Sequence, residues 1–190
     1  MYSAKRLSNM KLECVVPPAK EPVTVEEVNE FLRIDDDIED NLVASFISAA
    51  RMFCEEYQHQ AYNTQTLRLV INTTECGSEV ELPRSMYLQK ITKVASRLPD
   101  GTETAVLYST GTGGILTVVK IADVLPAEGD VIIEYITGND DLQLDNVKMA
   151  IKLLVSGWHN NRLPYNDSSR MSEEVPYGVK ALLNPGRIML

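Results

Sequence analysis

The sequence has little of what a metal centre, a disulfide framework or a membrane span requires. Its 190 residues include three cysteines and two histidines, and no C-x-x-C pair occurs. So few ligands make a zinc site hard to assemble, and the odd, widely spaced cysteines favour a reducing cytoplasm. No run of about 18 apolar residues is present for a transmembrane helix. The N-terminus lacks the apolar segment of a secretory signal, so we expect neither feature.

Basic charge is also scarce. The chain has 18 Lys and Arg against 27 Asp and Glu, a formal net charge of −9. Bulk electrostatics therefore disfavour binding to nucleic acid or to an anionic membrane. No predicted helix carries a basic stripe, which argues against specific reading of DNA. The G-x-S-x-G, H-E-x-x-H and P-loop motifs are absent, so the sequence indicates no familiar hydrolase or nucleotide site.

What is present is the patterning of a globular domain, with 44% hydrophobic and 24% charged residues. A chain of this length buries roughly 70% of the surface that it exposes when unfolded. Residues 1–22 contain three prolines and predict an extended N-terminal arm. Residues 23–190 are predicted to form a single domain.

Helical periodicity marks four segments. The first begins at Thr24, which forms a capping-box pattern with Glu27. The second carries two parallel apolar stripes, and such a wide apolar surface predicts a helix that is covered on more than one side. The predicted helices cover approximately residues 24–33, 35–58, 145–162 and 177–183.

Between the second and third helices, residues 63–138 change to a strand-like pattern rich in Thr and β-branched residues. Asp100-Gly101 and the glycine-rich segment 111–114 are typical of hairpin turns. Because no helices alternate with these strands, the sheet should be antiparallel. The predicted fold class is α+β: mainly a helical bundle with two N-terminal and two C-terminal helices, and an antiparallel β-rich insertion between helices 2 and 3.

The acidic run 35–40 is the strongest candidate for cation binding. A calcium loop needs glycine at its sixth position, and Asp40 stands there. Negative charge at the start of a helix is also favoured by the helix dipole, which explains the run without a ligand. We therefore expect no cofactor. One alternative stays open, a small metal-dependent enzyme that uses Asp35, Asp37 and His59.

Three features favour a protein that self-associates or docks on a partner: the N-terminal arm, the wide apolar surface of the second helix, and the apolar C-terminus 188–190. The alternative is that the chain's own sheet covers the helix. The residues alone leave both readings open.

Four stretches of the sequence carry recognisable motifs: residues 23–34, 37–57, 147–162 and 175–187. The second contains the pattern A-A-R-x-x-x-E-x-Y, and the fourth is similar to P-x-G-[VI]-x-A-L-L-x-P-x-R. In this order the four stretches resemble the phage head–tail connector proteins, also described as DNA-packaging or head-completion proteins. Together they extend over nearly the whole chain. In the third stretch His159 stands after Trp158, where the family often has Tyr.

The resemblance implies a non-enzymatic structural protein of a tailed phage or prophage. Members form a ring, typically of twelve subunits, beneath the portal vertex of the capsid. The ring extends the DNA channel and offers the surface for tail attachment after packaging. The implied partners are the portal protein, tail-completion or stopper proteins and further copies of the chain, without a membrane. DNA would pass through without specific binding, and the chain would reside in the virion neck, or in the host cytoplasm during assembly.

The resemblance also implies roles for particular residues. The C-terminal helix and tail would dock on the portal through Tyr177, Leu182, Leu183, Arg187 and Ile188. An acidic channel wall, which would repel phosphate, could include Asp35, Asp36, Asp37, Glu39 and Asp40. The long helix would pack on the neighbouring subunit through Phe46, Phe53 and Tyr57.

Two further readings compete with the connector. One is a tail-completion or stopper protein of the same neck region, which would bind the tail side. The other is a small DNA-binding packaging factor similar to terminase small subunits. The low basic charge disfavours the second of these.

Overall fold

The computed structural model describes residues 10–34, 38–160 and 177–188. The chain divides into two compact units. One is β-rich and is drawn from residues 1–19 and 61–140, and the other is helical and is drawn from residues 20–60 and 141–190. The predicted α+β class is confirmed, since two helices precede the antiparallel strands 65–137 and two follow them.

The β-rich unit contains two antiparallel sheets. The five-stranded sheet has the order β1-β2-β8-β4-β5, and the three-stranded sheet has the order β3-β7-β6. A short 3-10 helix, Ser85–Tyr87, precedes β4. The strands are β1 (Met10–Val16), β2 (Gln65–Asn72), β3 (Glu79–Glu81), β4 (Leu88–Arg97), β5 (Glu103–Ala105), β6 (Tyr108–Gly113), β7 (Leu116–Ile121) and β8 (Asp130–Thr137). The segment predicted as an N-terminal arm therefore supplies an edge strand of the larger sheet.

The core of this unit combines side chains from both sheets. Alternate residues of β2 and β8 point inward and meet residues of β3 and β7 in one apolar cluster. Its fully buried members include Leu67, Leu69, Ile71, Ile133, Tyr135, Leu82 and Val119. The Tyr135 hydroxyl donates a hydrogen bond to the Pro83 carbonyl at 2.6 Å, and burial raises the pKa of this phenol.

A row of alternating charges crosses all five strands of the larger sheet. Strand register places Glu13 beside Arg68, Arg68 beside Glu134, and Glu134 beside Lys93. Arg68 lies 2.8 Å from Glu134 and 3.8 Å from Glu13, and Lys93 lies 2.5 Å from Glu103. The hydrogen bond from Lys93 holds the pKa of Glu103 below its usual value. Because every charged side chain in this row has a neighbour of opposite charge, the row needs no partner protein to neutralise it.

The helical unit contains α1 (Val25–Leu32), α2 (Asp40–Gln58), α3 (Asp145–Asn160) and α4 (Tyr177–Leu183), followed by a 3-10 helix, Asn184–Gly186. The predicted capping box is confirmed: the Glu27 amide donates to the Thr24 hydroxyl at 3.2 Å, and the Thr24 amide donates to the Glu27 carboxylate at 3.0 Å. Among the described residues α2 begins at Asp40, the last residue of the acidic run, whereas the prediction had it begin at residue 35. None of the described helices combines the length and apolar character of a membrane span.

Candidate functional site

The long helix α2 buries only one of its two apolar stripes within the helical unit. The buried stripe has side chains at most 1% exposed, and α2 packs against α3. Its apolar members are Val43, Ile47, Ala50 and Cys54. The other stripe of α2 is therefore the apolar surface that this helix leaves accessible.

A buried ion pair interrupts the covered face of α2. Arg51 and Glu55 are 3% and 1% exposed, and Arg51 Nη1 lies 2.9 Å from Glu55 Oε2. Arg51 Nε lies 2.7 Å from Glu21 Oε2, so one guanidinium serves two carboxylates. These are the Arg and Glu of the A-A-R-x-x-x-E-x-Y pattern, whose role sequence reasoning missed. The signal available was an i, i+4 pair of opposite charges inside an apolar stripe.

The second stripe of α2 remains half-buried or exposed. It comprises Leu42, Phe46, Ala49, Phe53 and Tyr57. Phe46 meets Trp158 edge-on with ring centroids 6.2 Å apart, and the rings of Phe53 and Tyr57 stack at 6.5 Å. Met52, beside this stripe, is 57% exposed. The aromatic residues predicted to face a neighbouring subunit thus lie on the less covered side of the helix.

The C-terminal segment contacts this side of α2 at Tyr57. The Arg187 guanidinium carbon lies 4.7 Å from the centroid of the Tyr57 ring. The Tyr57 hydroxyl donates to Asn184 Oδ1 at 2.7 Å. Tyr57 belongs to the second stretch of the resemblance and the other two residues to the fourth, so the fold brings these stretches together.

The main chain of the C-terminal segment is held by Gln58. The Gln58 side-chain amide donates to the Leu183 carbonyl at 2.5 Å, and the Gln58 main-chain carbonyl accepts from the Ile188 amide at 3.1 Å. A Cβ on Gly186 would lie 2.7 Å from Gln58 Nε2. The end of α2 and residues 183–188 therefore form one packed surface.

The residues predicted to dock on the portal divide into buried and exposed groups. Leu183 and Ile188 are buried in the helical unit, and Leu182 is half-buried. Arg187 is exposed. Tyr177 is the first residue of α4, and its side chain lies outside the described part. Arg187 and the neighbouring 3-10 helix are thus the exposed part of this segment.

The structure describes only part of the acidic run, residues 38–40. Asp35, Asp36 and Asp37 lie outside the described residues. Glu39 Oε2 lies 2.7 Å from His159 Nε2, and Asp40 Oδ1 accepts from the Asn29 side-chain amide at 2.8 Å. Glu39 and Asp40 thus join the start of α2 to α3 and α1.

No cluster of three His, Cys, Asp or Glu side chains suited to a metal occurs among residues 10–34, 38–160 and 177–188. His59 ends α2 in the left-handed conformation, with φ of 56°. Asp35 and Asp37, the other members of the alternative metal site, lie outside these ranges. That alternative therefore stays a prediction.

Solved structures of similar fold come from gene transfer agent (GTA) particles. A chain from the neck of an empty GTA particle, computed with C6 symmetry, has a TM-score of 0.72 and 20% identity, over 95% of this chain and 96% of that chain. A chain from the virion of a native particle has a TM-score of 0.70 and 21% identity, over 94% and 96%. A chain from the native neck, computed with C12 symmetry, has a TM-score of 0.64 and 21% identity, over 95% and 96%.

No curated protein matches the sequence. The sequence model of the family described as head completion protein matches residues 21–184. This range includes all four helices and every strand except β1. The chain therefore belongs to the head completion protein family.

Proposed function

We propose that this chain is a structural protein in the neck of a tailed phage, a prophage or a phage-like particle. Its role is that of a head–tail connector that extends the DNA channel below the portal and provides the surface for tail attachment after packaging. The observation that carries the proposal is the family match over residues 21–184. The likeness to neck chains over 95% of the sequence supports it.

The connector acts as a ring, with twelve subunits on the portal. The similar chains come from particle necks computed with C6 and C12 symmetry, which supports a multimer. The second stripe of α2 supplies a subunit contact through Phe46, Phe53 and Tyr57, because apolar side chains left half-covered in one copy gain burial against another. The chain resides in the virion neck, and in the host cytoplasm during assembly.

The portal contact lies at the C-terminal segment. Leu183 and Ile188 support it from inside the unit, while Arg187, Leu182 and Tyr177 belong to the docking surface. Stopper or tail-completion proteins bind elsewhere on the ring. The interaction needs no cofactor, and the chain is not an enzyme.

Acidic side chains line the channel in this proposal. Asp35, Asp36 and Asp37 are the main candidates, since Glu39 and Asp40 already contact other helices. Like charge keeps DNA from adhering to the wall, which suits a chain with a net charge of −9. DNA therefore passes without specific binding.

The deciding experiment measures particle mass for the chain alone and after mixing with the portal protein of the same phage. A ring, or a complex that migrates with the portal, is the expected result. A monomer that ignores the portal and binds a tail-completion protein would replace the connector with the stopper reading. Metal bound by the wild-type chain and lost in an Asp35→Ala/Asp37→Ala variant would favour the enzyme instead.

Two charge insertions separate the proposed surfaces. Phe53→Glu should abolish ring formation, because it puts a carboxylate in the subunit contact. Ala181→Glu, on an exposed position of α4, should weaken portal binding while self-association persists. Thr102→Glu, which adds the same charge to an exposed hairpin turn, is the matched control and should change neither.

A further inference from the structure

Strand β6 is an edge strand with an unpaired side in the described residues. The Ala122 amide donates to the Leu107 carbonyl at 2.9 Å, which fixes the alternation of bonds between β6 and β7. Every second residue of β6 therefore directs its N–H and C=O away from β7. These residues are Tyr108, Thr110 and Thr112.

This edge lacks the features that usually block strand addition. Exposed edges commonly carry lysine, proline or a bulge. The six residues of β6 include no charged residue and no proline, and their pairing with β7 has no register shift. Nothing in the strand itself therefore opposes a further strand.

An open groove of about 700 Å³ lies beside the β6 edge. Met86 and Ile91 line it on one side, and Tyr108 and Ile115 on the other. Met86 and Ile115 are 41% and 60% exposed. Because β5 pairs with residues 95–97 of β4, the start of β4 has no paired strand on this side among the described residues. The unit thus has room for one more strand over a groove that both apolar and polar side chains line.

The unpaired β6 residues face the inner side of their sheet. Thr110 lies opposite Val119, which is fully buried in the core cluster, so their side chains share one face. A strand added to β6 would place alternate side chains over the groove. Uncharged side chains suit this position, since Lys90 is the one charged side chain among the described residues that line the groove.

A strand that fits this position is present at the other edge of the β-rich unit. The outer side of β1 has no partner among the described residues. The Thr73 amide donates to the Gly129 carbonyl at 2.9 Å, so every second residue of β2, counted back from Thr73, bonds to β8. The residues between them bond to β1, where their partners are Lys11 and Glu13. The outward-bonding residues of β1 are Met10, Leu12 and Cys14. All three are uncharged, and they lie in the part of β1, residues 10–14, that pairs regularly with β2 before the register shift between Cys14 and Val16.

We infer that β1 of one copy adds to β6 of the next copy, so that a continuous sheet crosses each subunit boundary. The inference rests on the proposed function, because a ring gives every chain a neighbour on two different sides. Ring closure requires a contact between two different surfaces of the chain, and these two edges supply one. Main-chain hydrogen bonds provide affinity, as in other cases of strand addition. Met10 and Leu12 of the added strand, which pack against the core cluster of their own chain, then extend that apolar face to the edge of the neighbour's groove.

The native Cys14 allows a direct test, because it is exposed and lies on the outward-bonding side of β1. Paired strands bring opposite Cα atoms to about 4.5–5.5 Å, within disulfide range. Rings assembled on the portal are oxidised and analysed without reductant, using single cysteine substitutions at Tyr108, Thr110 and Thr112. At least one should give chains linked into multimers, and Cys14→Ser should abolish them. Ser109→Cys, on the opposite face of β6, is the matched control and should give none.

A second variant tests the hydrogen bonds themselves. Thr110→Pro removes an outward N–H and costs no bond to β7, so the unfolding temperature should stay within a few degrees of wild type. Ring mass should be lost, while Thr110→Ala retains it. Two results would overturn this inference and leave the connector role standing. One is that rings form but none of the three cysteine variants gives a disulfide. The other is that Ser109→Cys links chains as efficiently as they do. Failure of the wild-type chain to assemble with the portal would overturn the proposed function, and this inference with it.

Discussion

Arg187 lies over the ring of Tyr57, with its guanidinium carbon 4.7 Å from the ring centroid. The two residues are separated by most of the helical unit's sequence, yet both belong to stretches that resemble the same protein family. The Tyr57 hydroxyl also donates to Asn184. One aromatic side chain of α2 therefore positions the C-terminal surface that we propose for portal docking.

Removing this cation–π contact should loosen the C-terminal segment. Arg187→Ala is expected to lower the free energy of unfolding by about 0.5–1 kcal/mol, the range for exposed contacts of this kind. Hydrogen exchange at residues 183–188 should rise more than exchange in α3. Tyr57→Phe keeps the ring and loses only the hydrogen bond to Asn184, so it is the matched control. If Arg187→Ala and Tyr57→Ala were strictly additive in a double-mutant cycle, the contact would contribute nothing.

Breaking the buried ion pair of α2 should be far more costly. Glu55→Ala leaves the Arg51 guanidinium buried with Glu21 as its remaining partner, and we expect a loss of about 3–5 kcal/mol in the free energy of unfolding. The double variant Arg51→Met/Glu55→Leu removes both charges and should recover much of that loss. Denaturant unfolding measures all three proteins. Lys148→Ala, which breaks an exposed pair at 3.8 Å, should cost less than about 1 kcal/mol. Equal losses for Glu55→Ala and Lys148→Ala would contradict this account.

Local rules predicted the features that depend on a few neighbouring residues. The capping box of Thr24 and Glu27 forms as expected because both bonds close within one helical turn. The Asp100-Gly101 turn is equally local: the Gly101 amide bonds to the Leu98 carbonyl, and glycine supplies the φ of 88°.

Features that depend on distant pairing could not be read from the sequence. No local signal places β8 between β2 and β4, and the charge row from Glu13 to Glu103 exists only once that order is set. Similarly, Arg51 and Glu55 lie at positions of the buried stripe of α2 where the sequence has charged residues. Their burial depends on Glu21 and on the packing of α3 against α2. Sequence reasoning also predicted that α2 is covered on more than one side; the helical unit buries one stripe and leaves the other half-buried or exposed, so what covers the second stripe stays a prediction.

Gly138 should be far less tolerant of a side chain than another glycine in the same unit. Its φ is 104°, and a Cβ there would lie 2.1 Å from the Asn63 carbonyl oxygen. Gly138→Ala therefore combines backbone strain with a clash against main chain, and thermal unfolding should show a loss well above 2 kcal/mol, about the strain cost alone. Gly101→Ala is the control, because its φ of 88° is also positive but its Cβ would meet nothing within 4 Å. Similar melting temperatures for the two variants would show that the Asn63 segment moves aside.

Cys54 should be chemically inert in the folded chain. Burial raises the pKa of its thiol to about 12, and the neighbouring Glu55 carboxylate adds to the shift. At pH 8 roughly one thiol in ten thousand is then ionised, which suppresses reaction with maleimide. Cys14 is exposed and should be labelled first. Mass spectrometry of a labelling time course checks the order, and equal native rates at the two sites would contradict the burial of Cys54.

The same raised pKa sets the sign of a stability change at high pH. Between about pH 9 and 12 the unfolded thiol releases its proton while the folded thiol of Cys54 keeps it, so the folded state binds more protons and its stability falls as pH rises. Below pH 9 both states are protonated, and this group contributes no slope. Cys54→Ala removes the group, so the decline in unfolding free energy from pH 9 to pH 11 should be shallower than in wild type. Tyr135, whose pKa is also raised, is present in both proteins and cancels in the comparison. Parallel curves would mean that the thiol ionises without unfolding and that α2 admits water at this position.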